Sequence, residues 1–157
     1  MKLILLSIFF ALVLGLSSCN KTCFCTTATL YPNYVGFTSA ETDSVILRRY
    51  TKASQFTRLI DTVVVTANNA QFSFSQDTLS IRSDDAALRI RSFYDYILYL
   101  PEANRSDSVY GIYETRDTEK GSRDLECNCI NRILSFYQNN NLIQVTDPSS
   151  PQIFINK

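Results

Sequence analysis

Five cysteines carry most of the chemistry open to this chain, and four of them form two tight pairs, Cys23-Phe24-Cys25 and Cys127-Asn128-Cys129. A spacing of two along a strand turns both sulfurs of a pair to one face. Pairs on neighbouring strands would face each other, and directly opposed Cα atoms about 4.5–5.5 Å apart are within disulfide reach. An antiparallel register would join Cys23 to Cys129 and Cys25 to Cys127. A parallel one would join Cys23 to Cys127 and Cys25 to Cys129. Closure inside either Cys-x-Cys would be strained. The rival is a four-thiolate zinc or copper centre, although structural zinc sites favour two to four residues between cysteines rather than one. Thioredoxin-like redox chemistry needs Cys-x-x-Cys, which the sequence lacks.

The other reactive groups are sparse. There is no His, which removes the usual general base near neutral pH and the commonest metal ligand. Ser-His-Asp and Cys-His catalysis are therefore excluded. Asp84, Asp85, Asp95, Glu102, Asp117 and Glu119 are the candidate acids. A glycosidase needs two carboxyls at a defined separation, and nothing in the spacing sets one. Most of these acids read as solvated loop residues. Asp95, inside the apolar run Tyr94–Leu100, is expected on the sheet face opposite the core, exposed. Arg89 and Arg91 share one strand face and could meet an anion, but a solvent-facing surface is the expectation. There is no Gly-rich phosphate loop and no basic face for nucleic acid. Trp, a favoured interface anchor, is absent, but nine Tyr and ten Phe could stand in. No catalytic residue, cofactor or metal is assigned.

The elements that would position these residues are strands. Val45–Leu47, Leu79–Arg82, Leu88–Ile90, Tyr94–Leu100, Val109–Tyr113, Cys127–Tyr137, Leu142–Val145 and Ile153–Ile155 are rich in β-branched and aromatic residues and bounded by turn formers. Val63–Val65, Asn68-Asn69 and Phe72–Ser75 read together as a hairpin. Glu102–Ser108 reads as a polar loop. The nearest approach to a helical period is Lys52–Ile60, where Phe56, Leu59 and Ile60 could share a face. Many short strands separated by turns suggest a sandwich or barrel. Four triplets read Asp, hydroxyl, apolar: Asp43-Ser44-Val45, Asp61-Thr62-Val63, Asp77-Thr78-Leu79 and Asp107-Ser108-Val109. Each is placed at a strand start, where Asp closes turns through its side chain.

The N-terminus carries a resemblance. Met1-Lys2 precedes an apolar run, Leu3–Leu16, that has the make-up of a secretory signal and is short of the roughly 20 residues needed to span a bilayer. Leu16-Ser17-Ser18-Cys19 resembles the lipobox of bacterial lipoproteins. That resemblance implies removal of residues 1–18, lipidation of Cys19 and membrane attachment through acyl chains, which two or more chains make firm. Asn20 stands where an inner-membrane retention Asp would, favouring the outer membrane. Asn20-Lys21-Thr22 lacks the acidic cluster of surface-exported lipoproteins, favouring the periplasmic face. Export into an oxidising compartment favours disulfides over thiolate metal sites. The four triplets also resemble the O-glycosylation sequon of Bacteroidota, which would make Ser44, Thr62, Thr78 and Ser108 the sugar carriers.

Cleavage leaves 139 of 157 residues, one domain's worth. The expectation is an all-β chain: a lipidated N-terminus and short tether over 19–22, then a single antiparallel β-sandwich or barrel-like domain over 23–157. The whole is similar to the small β-rich lipoproteins of Bacteroidota, a likeness that brings no activity with it. A non-enzymatic envelope protein is expected, either binding a protein or glycan partner or adding structure near the outer membrane; an exposed aromatic patch from Tyr96, Tyr99, Tyr110 and Tyr113 would favour binding. The alternative is an envelope hydrolase using a carboxylate pair.

Overall fold

Side chains that alternate between core and solvent mark Ser44–Thr51, Thr78–Arg82, Tyr94–Leu100 and Gln152–Asn156 among the twelve strands of the computed structural model, which describes residues 21–82, 88–121, 129–148 and 150–157. They are β1 (Lys21–Phe24), β2 (Tyr31–Val35), β3 (Ser44–Thr51), β4 (Leu59–Thr66), β5 (Gln71–Ser75), β6 (Thr78–Arg82), β7 (Tyr94–Leu100), β8 (Arg105–Glu114), β9 (Thr118–Gly121), β10 (Ile133–Gln138), β11 (Asn141–Gln144) and β12 (Gln152–Asn156). The lipobox-like Leu16–Cys19, the acids Asp84 and Asp85, and Cys127 lie outside the described residues. No helix among the described residues is long and apolar enough to cross a membrane.

The expected domain contains two compact units. One holds the described residues of 21–26 and 116–129. There β1 and β9 pair antiparallel, from Lys21 opposite Gly121 to Phe24 opposite Thr118. The Cys25 N–H then donates to the Asp117 carbonyl at 3.2 Å and the Thr26 N–H to the Cys129 carbonyl at 2.9 Å.

The other unit is a sandwich of two open sheets. The larger has the order β11-β10-β8-β7-β3-β4 and the smaller β12-β2-β6-β5. Each keeps two free edges, so neither closes into a barrel. Alternation in β3 and β7 turns Val45, Leu47, Tyr96, Leu98 and Leu100 inward, where they meet Tyr34, Leu79, Ile81, Ile153 and Ile155 of the smaller sheet. Burial of each large apolar side chain stabilises the fold by roughly 1.5–3 kcal/mol.

Pairing is antiparallel except between β12 and β2, which run parallel. Pro32 sits in β2, an interior strand, although proline cannot donate to a ladder. It is tolerated because β6 pairs only with Asn33, Tyr34 and Val35. The two-residue turn Asn139-Asn140 joins β10 to β11 with φ of 48° and 68°, the left-handed pair that a tight hairpin requires.

Two local expectations are corrected, and a third is resolved. Val63–Val65 and Phe72–Ser75 do not form a hairpin, since β4 edges the larger sheet and β5 the smaller. Asn69 closes the turn between them by accepting from the Thr66 N–H and donating to the Val64 carbonyl, and the chain crosses from one sheet to the other. β5 instead pairs with β6, Ser75 opposite Thr78. The Glu102–Ser108 loop shrinks to a turn, because β8 begins at Arg105. Lys52–Ile60, which could be a single helical turn or a loop, is a loop: the β3–β4 connection running into β4.

Candidate functional site

The larger sheet has a second face, turned away from the core, and the β3–β4 connection folds onto it. Three residues of that connection take left-handed backbone: Ala53 at φ 59°, Gln55 at 52° and Phe56 at 59°. For a bulky residue such as Phe this is a true outlier, and each such position costs on the order of 1–3 kcal/mol. Specific contacts hold the strained turn. The Ala53 N–H donates to Asp95 Oδ2 at 2.7 Å. The Phe56 ring sits edge-on between Tyr50 and Tyr110, with centroids 5.4 and 5.7 Å away.

A second irregularity lies opposite. Gly111 interrupts β8 at φ +59°, and there the pairing with β10 slips, from Tyr113 opposite Ser135 to Tyr110 opposite Tyr137. Extra residues of this kind bend a strand and re-aim its side chains. A Cβ at Gly111 would lie 3.1 Å from the Tyr137 ring, so glycine lets that ring settle. Tyr137 stacks on Tyr110 with centroids 5.2 Å apart and planes 13° from parallel. The Tyr110 hydroxyl donates to Asn140 Oδ1 at 2.9 Å.

Asp95 links the two irregularities. Its Oδ1 accepts the Gly111 N–H at 3.2 Å while its Oδ2 takes the Ala53 N–H. The expectation of an exposed Asp95 is corrected: alternation does place it on the outer face, but the folded-over turn buries it to 3% exposure. The neighbouring Lys52 Nζ donates to the carbonyls of Ser92 and Ile112 at 2.8 and 2.9 Å. Turn, bulge and hairpin tip enclose a cleft of about 580 Å³ lined by aromatic rings and by Gln55, Asn140, Lys52 and Asp95, within the usual range of small-molecule pockets.

The expected aromatic patch is only partly realised. Tyr96 has 0% exposure and belongs to the core; its hydroxyl accepts the Arg91 N–H at 2.8 Å. Burial pushes its phenol up to about 12, against the opposing pull of that amide and of the Arg49 charge. Tyr99 faces Arg48, whose guanidinium carbon stands 5.7 Å from the ring centroid. Tyr113 is 61% exposed and does not line the cleft. Tyr110 does, with Phe56 and Tyr137, which the sequence did not single out. The clues were Gly111 inside a strand pattern, which marks a bulge or a close approach, and Asp95 between two tyrosines.

The acids and hydroxyls are dispersed. Glu102 and Asp117 are exposed, and the side chain of Glu119 lies outside what is described. Among the described residues, Asp95 is the one acid lining the cleft. Ser44 and Thr78 begin β3 and β6, whereas Thr62 and Ser108 lie inside β4 and β8, so only two of the four triplets sit at strand starts. Asp61 instead pairs with Arg49, whose guanidinium holds its carboxyl below the usual range. Asp107 is buried and accepts from Arg105 and Asn139. Thr62 is exposed; Ser44, Thr78 and Ser108 are half-buried. Arg91 Nε is buried rather than solvent-facing.

Cys25 is bonded to Cys129, with Cα atoms 4.7 Å apart, a pair expected of the parallel register. The antiparallel pairing of Cys25 with Cys127 is thereby excluded. So is a four-thiolate centre, because sulfurs in a disulfide are not thiolates. Cys23 is disulfide-bonded as well. No family model, curated protein or solved structure matches this chain in comparisons with known proteins, and the cleft is the feature from which a function has to be read.

Proposed function

We propose that this chain is a lipid-anchored cell-envelope protein with a non-enzymatic role, which captures an envelope partner in the aromatic cleft on the outer face of its larger sheet. The observation that carries the reading is the strained turn Ala53–Phe56, held over the buried Asp95. Backbone held in such conformations gathers at ligand sites, where surrounding contacts keep it in place. A concave, largely aromatic lining with a few convergent polar groups is the usual make-up of a binding pocket.

The chemistry of the cleft supports binding over hydrolysis. Carboxylate catalysis of the glycosidase kind needs two acids, and both oxygens of Asp95 are engaged by backbone N–H groups. The Cys25–Cys129 bond supports an exported location, since disulfides persist in oxidising compartments. The lipobox then supports attachment through Cys19 at the outer membrane, on its periplasmic face. Only residues 20–22 separate that lipid from Cys23, which keeps the disulfide-bonded segment close to the membrane.

A photo-crosslinking residue placed at Tyr137, and as a control at the exposed Phe154 of the smaller sheet, tests the reading in cells. A defined adduct from position 137 and none from position 154 is expected. Equal labelling, or none at 137, overturns it. Labelled palmitate incorporated by the wild type and lost in Cys19→Ser tests the anchor.

A further inference from the structure

Resting on the reading of this cleft as a binding site, we propose that its ligand is a neutral saccharide, stacked on the Tyr137 and Phe56 rings and hydrogen-bonded by the side-chain amides of Gln55 and Asn140.

The charges at the site exclude the obvious alternatives. The Lys52 ammonium is directed at two backbone carbonyls, and the Asp95 carboxylate is occupied by two backbone N–H groups. One cation and one anion therefore cancel in net charge, and main chain takes two of the three ammonium donors and one acceptor position on each carboxylate oxygen. A phosphate, a carboxylate ligand or a metal ion would meet no uncompensated charge, and burying an unpaired charge is costly. What remains for a ligand is neutral: aromatic surface and amides.

Tyr137 is 38% exposed, and Phe56 is half-buried. Gln55 and Asn140 are exposed and both line the cleft, one on the β3–β4 turn and the other at the β10–β11 hairpin tip. Each amide offers one acceptor and two donors. In Asn140 the oxygen already accepts the Tyr110 hydroxyl, leaving its N–H groups to donate. A pyranose ring matches this set: its apolar C–H face covers an aromatic ring, and its rim hydroxyls both donate and accept. A cleft of about 580 Å³ accommodates a short oligosaccharide rather than a long polymer buried along its length. The strained turn also serves such a ligand, since a binding loop ordered in advance loses less conformational freedom on binding.

The test uses the full lipidated chain in detergent, isotopically labelled for amide NMR, and titrated at millimolar concentration with cellotriose, maltotriose and triacetylchitotriose. Saturable shifts at Ala53, Gln55, Phe56, Gly111 and Asn140 with at least one of these sugars are expected. Two variants remove the amides while keeping the local backbone, Asn140→Gly also removing the bond that Asn140 accepts from the Tyr110 hydroxyl. Gln55→Gly and Asn140→Gly keep the left-handed backbone of these positions, φ 52° and 68°, which glycine adopts freely. Each is expected to weaken binding roughly three- to tenfold, the loss of about one neutral hydrogen bond. Sugar binding that neither variant weakens overturns the proposal, as does a titration in which no sugar shifts the cleft. A proline-rich peptide is titrated in parallel, because aromatic grooves also take such segments. If the peptide shifts the cleft and no sugar does, the saccharide is wrong and the binding site stands. If neither does, both readings fall.

Discussion

Asp95 accepts two backbone N–H groups from parts of the chain 42 and 16 residues away in sequence, so its carboxylate holds the turn and the bulge in one arrangement. Hydrogen bonds to a charged group contribute roughly 1.5–3 kcal/mol, and their loss here would leave two part-buried donors without that partner. Asp95→Ala is expected to destabilise the protein by about 3 kcal/mol, read as a lowered urea midpoint with an unchanged slope. Tyr34 gives the opposite case. Its hydroxyl is buried with no hydrogen-bond partner among the described residues, and burial, with the Asp107 charge adding to it, pushes the phenol far above its usual range. Tyr34→Phe removes an unsatisfied polar atom and is expected to be neutral or stabilising by about 1 kcal/mol. A phenol raised on folding adds stability that is whole below the unfolded value near 10 and declines as pH rises past it. Tyr34 and Tyr96 both behave so, and chemical unfolding at pH 8, 10 and 11 should show stability falling over the last step, less steeply in Tyr34→Phe.

At the scale of elements, the bulge in β8 and the β3–β4 turn make the site. Gly111→Ala places a Cβ 3.1 Å from the Tyr137 ring at a φ of +59°. The left-handed backbone alone costs an alanine roughly 1–2 kcal/mol, and the ring must shift as well. A loss of about 2 kcal/mol is expected, with the upfield ring-current shifts of the Tyr110–Tyr137 stack diminished in the proton spectrum. Unchanged shifts would mean that the glycine does not seat the ring.

The sequence makes most strands legible, because Val45–Leu47, Leu79–Arg82 and Tyr94–Leu100 alternate in step with the sheet. It conceals β2, whose Pro32 argues against an interior strand, and β9, whose Thr118–Gly121 is polar. The site is less legible than the fold. Parity places Asp95 on the outer face, but its burial depends on seven residues, 52–58, folding over it. No periodicity encodes that fold-over; it follows from long-range bonds and ring contacts.

For the whole molecule, the Cys25–Cys129 bond joins residues 104 apart. In the chain-entropy model a loop near that length stabilises by about 4–5 kcal/mol, and removal of a native disulfide typically costs 2–5 kcal/mol. Cys25→Ala with Cys129→Ala is expected to lower stability within that range, measured by urea unfolding against the oxidised protein. The same bond accords with the proposed export of the chain, and Leu16-Ser17-Ser18-Cys19 with its proposed attachment to a membrane. The most direct test of the binding cleft is amide hydrogen exchange of the full chain with and without cellotriose, maltotriose and triacetylchitotriose. Slowed exchange at Gln55, Phe56 and Asn140, with the smaller sheet unchanged, is the expected result. Exchange that is unaltered at the cleft, or slowed only along β5 or β12, would contradict it.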